Sequence, residues 1–317
     1  MYLTSESNTF SQPVLQKIKA SIARKKQRRA VKARTKKLFS QILDAPIRNE
    51  GTHCIHQIDP QNAGDQYAGP YHYFSSLQEK TSILQYLVPD SDQQNEFVNA
   101  ITKSSLIVGG GGLFNRPAFQ EVISLIESLS KKGKKIVIWG AGHNVATHKQ
   151  RLPSNYNISF ETISLVGTRD YSMPGEYVPC VSCLHPLLDR PYAAKQELGV
   201  VFHKRTMEKP EITKKLEGIP SLSNAATIEE IIPFIGESDA LITDSYHAMY
   251  WGLLLAKKVT VIPNSSKFFD FHVKPLFSDF DHCVEHSSKA GFTTGLLEEC
   301  RELNKHFYQK AMNIMSS

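Results

Sequence analysis

The chain has 317 residues, of which 41% are hydrophobic and 21% charged, which suits an ordinary globular protein and is enough for two domains. No apolar stretch reaches the roughly eighteen residues that a spanning helix needs, so the composition excludes an integral membrane protein. Five cysteines are too few for a disulfide scaffold, and the N-terminal residues lack a secretory h-region. We therefore expect reduced thiols and a cytoplasmic location.

The net charge of +6 comes from one basic segment. Residues 14–43 contain eleven Lys and Arg residues and no acid, which leaves the rest of the chain at −5. Leu15, Ile18 and Ile22 recur at helical spacing, so the segment is predicted to be a basic amphipathic helix. It could bind an anionic membrane surface, bind nucleic-acid phosphates, or stay solvated. Because it has no aromatic residue for base stacking before Phe39, we favour the membrane surface and expect no specific nucleic acid.

Beyond this arm, short β-type runs alternate with helical periods, which is typical of βαβ units and parallel sheets. Apolar residues between Phe119 and Leu129 predict a helix that ends at Gly133, and Thr227 with Glu230 has capping-box spacing. An apolar run predicts a buried helix over 246–255, and a last helix begins near Leu296. The predicted strands cover 52–58, 106–108, 135–139, 163–166, 199–203, 240–243 and 258–262.

These elements predict an α/β fold with two Rossmann-like domains facing a cleft, and the last helix could cross between the two domains. Ligands of α/β proteins usually bind in such clefts. A stretch with five Pro and Gly residues and no sustained period separates the two series. The predicted division is a basic N-terminal arm, 1–47, a first domain, 48–170, a connection, 171–194, a second domain, 195–285, and a C-terminal helix, 286–317.

Two glycine-containing segments follow predicted strands. Gly110, Gly111 and Gly112 could bring backbone N–H groups close to an anion or a sugar, although a tight structural turn needs glycines too. His143 and Asn144 belong to a near match to the dinucleotide fingerprint that lacks its third glycine, so a nicotinamide cofactor is only a minor alternative. We expect both residues to bind substrate.

Further polar candidates lie at the carboxyl ends of predicted strands, where α/β folds bind ligands. Arg169 could bind a carboxylate or phosphate through two N–H groups, and His247 is an acid or base candidate. An Arg–Asp pair, a helix cap and a core histidine are the structural alternatives. The candidates are Asn62, Asp65, Arg169, Ser245, Tyr246, His247 and Lys267.

Cys180, Cys183 and His185 offer three zinc ligands, but a structural site needs four and the chain has no second CxxC. We therefore predict no metal and interpret these cysteines as buried, reduced thiols.

Taken in order, these motifs resemble the polysaccharide pyruvyl transferase family over residues 51–269. The matching pieces are the turn at 62–65, the glycine strand at 106–112, the turn at 139–142, Arg169 with Asp170, and the His247 turn with its apolar helix and Lys267. One departure is Ser245, because many members have Arg at that position.

The resemblance implies a GT-B-like pair of domains and transfer of a pyruvyl group from phosphoenolpyruvate to two hydroxyls of a sugar, which forms a cyclic ketal. The sugar would belong to a polysaccharide or its lipid-linked precursor. This chemistry needs a proton donor and acceptor and cations for the donor's carboxylate and phosphate, but no redox cofactor. We expect His247, as the acid, and Arg169 to be catalytic, with Arg169 and Lys267 as the anion-binding cations. A glycosyltransferase using a nucleotide sugar and a non-catalytic binding protein on the same fold are the alternatives.

The basic arm predicts salt-sensitive binding to anionic vesicles. Each Lys or Arg near such a surface contributes about 1 kcal/mol, and salt screens the attraction beyond roughly 8 Å. In co-sedimentation, the full chain should pellet with anionic vesicles at low salt, whereas a chain beginning at Ala45 should not. Equal sedimentation of the two chains would exclude this role for the arm, and tighter binding to duplex DNA would favour nucleic acid instead.

Overall fold

The computed structural model describes residues 12–147 and 151–316, and it divides the chain into two compact units, Met1–Ala45 and Pro46–Ser317. The described part of the first unit, from residue 12, is the helix α1 (Gln12–Asp44), which confirms that the basic segment is helical. Its apolar residues do not gather on one face, so the predicted amphipathic character is wrong. Ile18 and Ile22 are exposed. The side chain of Leu15 and the first eleven residues of the arm lie outside the described residues.

A seven-stranded parallel sheet forms the first half of the second unit, in the order β2-β1-β3-β5-β6-β7, with β4 paired to β5. The ends of β3 and β5 are buried, as expected for parallel strands covered on both faces. Its strands are β1 (Asn49–His56), β2 (Lys80–Ser82), β3 (Lys103–Val108), β4 (Gly111–Phe114), β5 (Lys135–His143), β6 (Leu165–Thr168) and β7 (Glu176–Tyr177).

A five-stranded parallel sheet follows, in the order β12-β11-β10-β8-β9. Its central strand β10 is hydrogen-bonded to β8 and β11, and Leu241 and Ile242 at its centre are completely buried. Its strands are β8 (Gln196–Phe202), β9 (Ser221–Ser223), β10 (Ser238–Thr243), β11 (Lys258–Val261) and β12 (Leu276–Phe277).

The helices of the second unit confirm the main helical predictions. The capping box is formed, with Thr227 N–H donating to Glu230 Oε2 at 2.8 Å, and Gly133 adopts a positive φ of 86° just beyond a helix end. The helix predicted to be buried has all nine residues buried. The helices are α2 (Ala63–Gln66), α3 (Ser91–Ile101), α4 (Gln120–Lys131), α5 (Lys204–Met207), α6 (Pro210–Thr213), α7 (Ile228–Gly236), α8 (Tyr246–Leu254), α9 (Cys283–Ser287) and α10 (Leu296–Ser316).

Two parts of the chain differ from the prediction. The glycine segments are not turns: Gly111 and Gly112 lie in β4 and pair with Ala141 and Gly142 of β5. The stretch expected to be a plain connection contributes β7, which extends the first sheet. Both differences arise from strand pairing, which the local sequence does not reveal. The parallel sheets confirm a Rossmann-like α/β fold, and no helix among the described residues is long and apolar enough to cross a membrane.

The last helix, α10, contacts both halves of the second unit. Phe307 packs on Trp139 of β5, whereas Cys300 lies in the core around α8. Between them Asn304 is fully buried, and its Oδ1 accepts a hydrogen bond from Trp139 Nε1 at 2.9 Å. Its Nδ2 donates to the carbonyl of Pro179 at 3.1 Å. α10 is therefore fixed to the first sheet by a buried polar side chain as well as by apolar packing.

Replacement of Asn304 by Leu should destabilise the protein, because the Trp139 N–H and the Pro179 carbonyl lose their partner. Each buried group left unpaired costs about 1–3 kcal/mol. Asn313→Leu, at an exposed position of the same helix, should change stability by less than about 0.5 kcal/mol. Denaturant unfolding of the three proteins measures the difference, and equal midpoints would show that the Asn304 bonds are not needed.

Candidate active site

Polar residues from both sheets line one cavity of about 730 Å³. They lie at or after the carboxyl ends of strands, which is where parallel sheets usually bind ligands. Nine predicted site residues line it: Asn62, Asp65, Gly112, Asn144, Arg169, Ser245, Tyr246, His247 and Lys267. Gly110, Gly111 and His143 are not among its lining residues.

The cavity is strongly cationic. Among the described residues, six Lys and Arg side chains line it against two carboxylates, those of Asp59 and Asp65. One carboxylate is already paired, because Lys204 Nζ lies 2.8 Å from Asp59 Oδ2. Low-dielectric walls strengthen the field of such a cluster and favour an anionic ligand. The six cations are Arg116, Arg169, Lys204, Arg205, Lys209 and Lys267.

Arg169 is the most deeply placed of these cations, with 1% of its surface exposed. Its guanidinium lies over the Tyr246 ring, 4.2 Å from the centroid, and its Nε is 3.5 Å from Asp170 Oδ1. Nε and Nη2 have no hydrogen-bond partner among the described residues. A Cβ on Gly112 would lie 3.2 Å from Nη2, so the glycine leaves this group uncrowded. Buried donors are normally satisfied, and these are available to a ligand.

His247 begins α8 with 5% of its surface exposed, and its Nε2 lies 3.7 Å from Cys180 Sγ. Burial lowers the pKa of His247 well below its ordinary value, and the charges of Arg169 and Lys267 lower it further. The imidazole is therefore neutral at pH 7. Gly64 packs directly against the ring, so closely that a Cβ there would overlap it.

Asp65 and Asn62 form a hydrogen-bonded pair at the start of α2. Asn62 Nδ2 donates to Asp65 Oδ2 at 2.8 Å, and Asn224 Nδ2 donates to Asn62 Oδ1 at 3.3 Å. Burial raises the pKa of the Asp65 carboxyl, whereas the nearby Lys267 and Arg169 oppose that rise. The turn therefore joins the two halves of the cavity wall, since Asn62 follows β1 and Asn224 follows β9.

The Lys267 turn belongs to the second sheet but is hydrogen-bonded to the first. His143, at the end of β5, contacts Ser266 Oγ through Nδ1 at 2.7 Å and Asp270 Oδ2 through Nε2 at 2.8 Å. Ser266 Oγ also accepts from the Val145 N–H at 2.9 Å, which suits a hydroxyl that donates to Nδ1. The imidazole then donates through Nε2 to the carboxylate. His143 thus lies behind the cavity wall and fixes Lys267.

Burial, followed by the charge of Arg169, lowers the pKa of Lys267 to about 8. Its ammonium lies 5.6 Å from the centroid of the Tyr246 ring, which also carries Arg169. The two cations therefore lie next to one aromatic side chain, and Arg169 is also ion-paired with Asp170. This arrangement can hold an anion with two charged groups.

The ligand atoms of His143, Asp170 and Asp270 lie within 4.8 Å of one another, a spacing that a metal ion could use. Both nitrogens of His143 already make hydrogen bonds, and Asp170 Oδ2 accepts from the His143 N–H at 2.6 Å. The group is thus engaged as a hydrogen-bonded network. Cys180 and Cys183 are buried and free, as the sequence predicts.

The model of the family described as polysaccharide pyruvyl transferase matches residues 25–266, more than half of the chain. The chain belongs to this family. It is therefore a transferase, and the resemblance noted in its motifs is confirmed. The match begins within α1, earlier than the motifs at 51–269 suggested. No curated protein matches the chain.

Several lining residues of this pyruvyl transferase family member are absent from the sequence prediction. His203 follows β8 and its pKa is lowered to about 4 by burial and then by the nearby Lys267 and Arg205. The basic residues directly after that strand could have indicated this part of the site from the sequence. Arg116 gave little signal, because β4 is too short and glycine-rich to be recognised. The residues missed include Asp59, Arg116, His203, Lys204, Arg205, Lys209 and Asn224.

Gly64→Ala should destabilise the transferase, because its methyl group would displace the His247 ring. Overpacking of this kind costs about 1–3 kcal/mol. In a His247→Ala background the same change should cost much less, since the overlap is gone. Gly291→Ala is the matched control, because a Cβ there meets nothing within 4 Å. The four unfolding free energies form a double-mutant cycle, and additive effects would contradict the contact.

Proposed function

We propose that this transferase moves the pyruvyl group of phosphoenolpyruvate onto two hydroxyls of a sugar in a polysaccharide or its lipid-linked precursor. The observation that carries the proposal is the cationic cavity with unpaired guanidinium donors at its deepest point. A donor with a carboxylate and a phosphate needs separate cations for each group, and family membership supplies the class of reaction.

The donor's charged groups would bind Arg169 and Lys267. α8 adds to this attraction, since its N-terminal N–H groups carry partial positive charge and its first residues line the cavity. Ser245 is its N-cap but its hydroxyl makes no cap hydrogen bond. The helix start can therefore serve an anion even though Ser245 carries no charge.

The state of His247 favours a proton acceptor over the acid that the sequence suggested. A neutral imidazole can take the proton of the attacking sugar hydroxyl. A bound anionic donor offsets the charges of Arg169 and Lys267, which raises the proton affinity of His247 as attack begins. The resulting imidazolium can pass a proton to the donor.

The reaction balances with these groups. Two C–O bonds form at carbon 2 of the donor, the bond from carbon 2 to the phosphate oxygen breaks, and carbon 3 gains a proton to become methyl. One hydroxyl proton therefore ends on carbon 3 and the other leaves with phosphate. No electrons are transferred to or from the substrates, so we propose that no redox cofactor takes part.

We also propose the GT-B-like pair of domains, with the cavity as the cleft between 48–170 and 195–285 and with 171–194 as the connection. The C-terminal helix, 286–317, would support both. Activity at the cytoplasmic face of a membrane would suit a lipid-linked acceptor. Residues 14–43 would then bind the anionic membrane surface, and we expect no specific nucleic-acid partner. The cationic helix α1 supports electrostatic attraction to the membrane surface rather than insertion into the membrane.

The deciding assay incubates the protein with phosphoenolpyruvate and a panel of hexosides. Release of phosphate together with a pyruvyl ketal on the sugar is expected, and His247→Ala should lower turnover about a hundredfold to ten-thousandfold while the protein stays folded. A ligand that binds only the folded state stabilises it by about 2.7 kcal/mol at a hundredfold excess over Kd. Thermal stabilisation by uridine diphosphate but not by phosphoenolpyruvate would favour a glycosyltransferase.

The pKa of Lys267, about 8, predicts the alkaline limit of activity. As pH rises through this value the ammonium loses its charge, so kcat/KM for phosphoenolpyruvate should fall. A guanidinium stays charged until about pH 12, so Lys267→Arg should move the decline in kcat/KM to higher pH. Lys267→Met should lower kcat/KM about tenfold to a hundredfold, the value of a charged hydrogen bond. Lys289→Arg, outside the cavity, is the control. A wild-type profile that is flat to pH 10 would disprove the role of Lys267.

A further inference from the structure

A second cavity, of about 660 Å³, adjoins the first. Asn115 and Pro117 line both, so the two open on either side of the same short segment between β4 and α4. It is open to solvent, since Ala118, Gln120 and Glu121 on its wall are exposed. A ligand that extends past Asn115 from the first cavity therefore meets the second.

The chemistry of the second cavity differs from that of the first. Glu121 is the one charged residue among its described lining residues, and none of these residues is cationic. Neutral amides come from Asn115, Gln120 and Asn157, which bond to one another, with Asn157 Nδ2 donating to Gln120 Oε1 at 3.0 Å, and which keep second lone pairs and N–H groups for a ligand. Apolar surface comes from residues such as Leu87 and Ala118. Phosphate and carboxylate groups gain nothing here. Amides and a carboxylate instead suit the hydroxyls of a neutral sugar, which both donate and accept hydrogen bonds, while apolar side chains suit its C–H surfaces.

The segment between the two cavities is rigidly held. Asn115 has a positive φ of 60°, a conformation that Asn tolerates better than most residues. Its N–H donates to Asn157 Oδ1 and its Oδ1 accepts from the Asn157 N–H, both at 2.9 Å. Its Nδ2 donates to the Asn155 carbonyl at 2.8 Å. Backbone conformations of this kind are often retained at ligand sites, and a fixed partition lowers the entropy cost of binding.

We propose that the second cavity is a glycan subsite that binds the neutral sugar residue next to the one being modified. The inference rests on the proposed function, because it takes the first cavity as the place where the acceptor hydroxyls react. It assigns the acceptor class as a chain of at least two sugars, in which Gln120, Glu121 and Asn157 contact the neighbour of the reacting residue.

The test compares neutral trisaccharides of glucose, galactose, mannose and N-acetylglucosamine with their methyl monosaccharides. Ala118→Trp fills the cavity from an exposed position, and Ser288→Trp, exposed and outside both cavities, is the matched control. Saturation-transfer NMR without donor measures binding, and kcat/KM with phosphoenolpyruvate measures use as acceptor. At least one trisaccharide should bind wild type and Ser288→Trp about tenfold more tightly than its methyl monosaccharide, and Ala118→Trp should lose that preference.

A second variant, Glu121→Ala, should reduce the preference without filling the cavity, and melting temperatures verify that each variant is folded. The inference is overturned if no trisaccharide binds better than its methyl monosaccharide, or if Ala118→Trp keeps the preference. Turnover of monosaccharides and trisaccharides at equal kcat/KM would overturn it while leaving the proposed function intact. If phosphoenolpyruvate is not used with any acceptor, the proposed function fails, and the binding measurements still decide whether the subsite exists.

Discussion

The hydrogen bonds of His143 to Ser266 and Asp270 are the interaction on which the cavity depends. They join the end of β5 to the turn after β11, so side chains from two separate sheets reach one ligand. Asp270 strengthens the junction, since its carbonyl and carboxylate accept from the Tyr171 and Ser172 N–H groups at 2.8 and 2.9 Å. Because His143, Ser266 and Asp270 are buried and hydrogen-bonded, the junction can hold the adjacent Lys267 in place.

This junction brings cations together at a cost in stability. Arg169, Lys267 and Arg116 repel one another, and burial removes much of the water that would screen them. The apolar core around α8, whose nine residues are all buried, opposes that cost. The result is a site whose electrostatic field is matched to an anion. The lowered pKa values of His247 and Lys267 are further consequences of the same burial and repulsion.

Small residues determine how closely these groups approach. Gly64 leaves room for the His247 ring, and Gly112 leaves room for Asn144 and Arg169. These glycines therefore shape the first cavity by leaving space for larger side chains. For Gly112, the sequence instead predicted that its backbone N–H group would bind the ligand. The second cavity, beyond Asn115, is formed by ordinary side chains of α4 and its neighbours. Within residues 46–317, Lys and Arg side chains therefore cluster at the first cavity, whereas the described lining of the second contains no cation.

Local periodicity and local chemistry were enough to predict several features of this protein. The sequence predicted the helix at α4 and its end at Gly133, the capping box of Thr227, the buried helix α8, and the placement of polar candidates after strands. It did not determine the partners of those residues. His143 was predicted to bind substrate, yet its contacts are with residues 123 and 127 positions further along the chain. Three further features depend on the tertiary structure: the pairing of β4 with β5, the contact of Gly64 with His247 and the neutral state of that imidazole. Burial and contacts between residues far apart in the chain determine them, and the spacing of neighbouring residues does not reveal either.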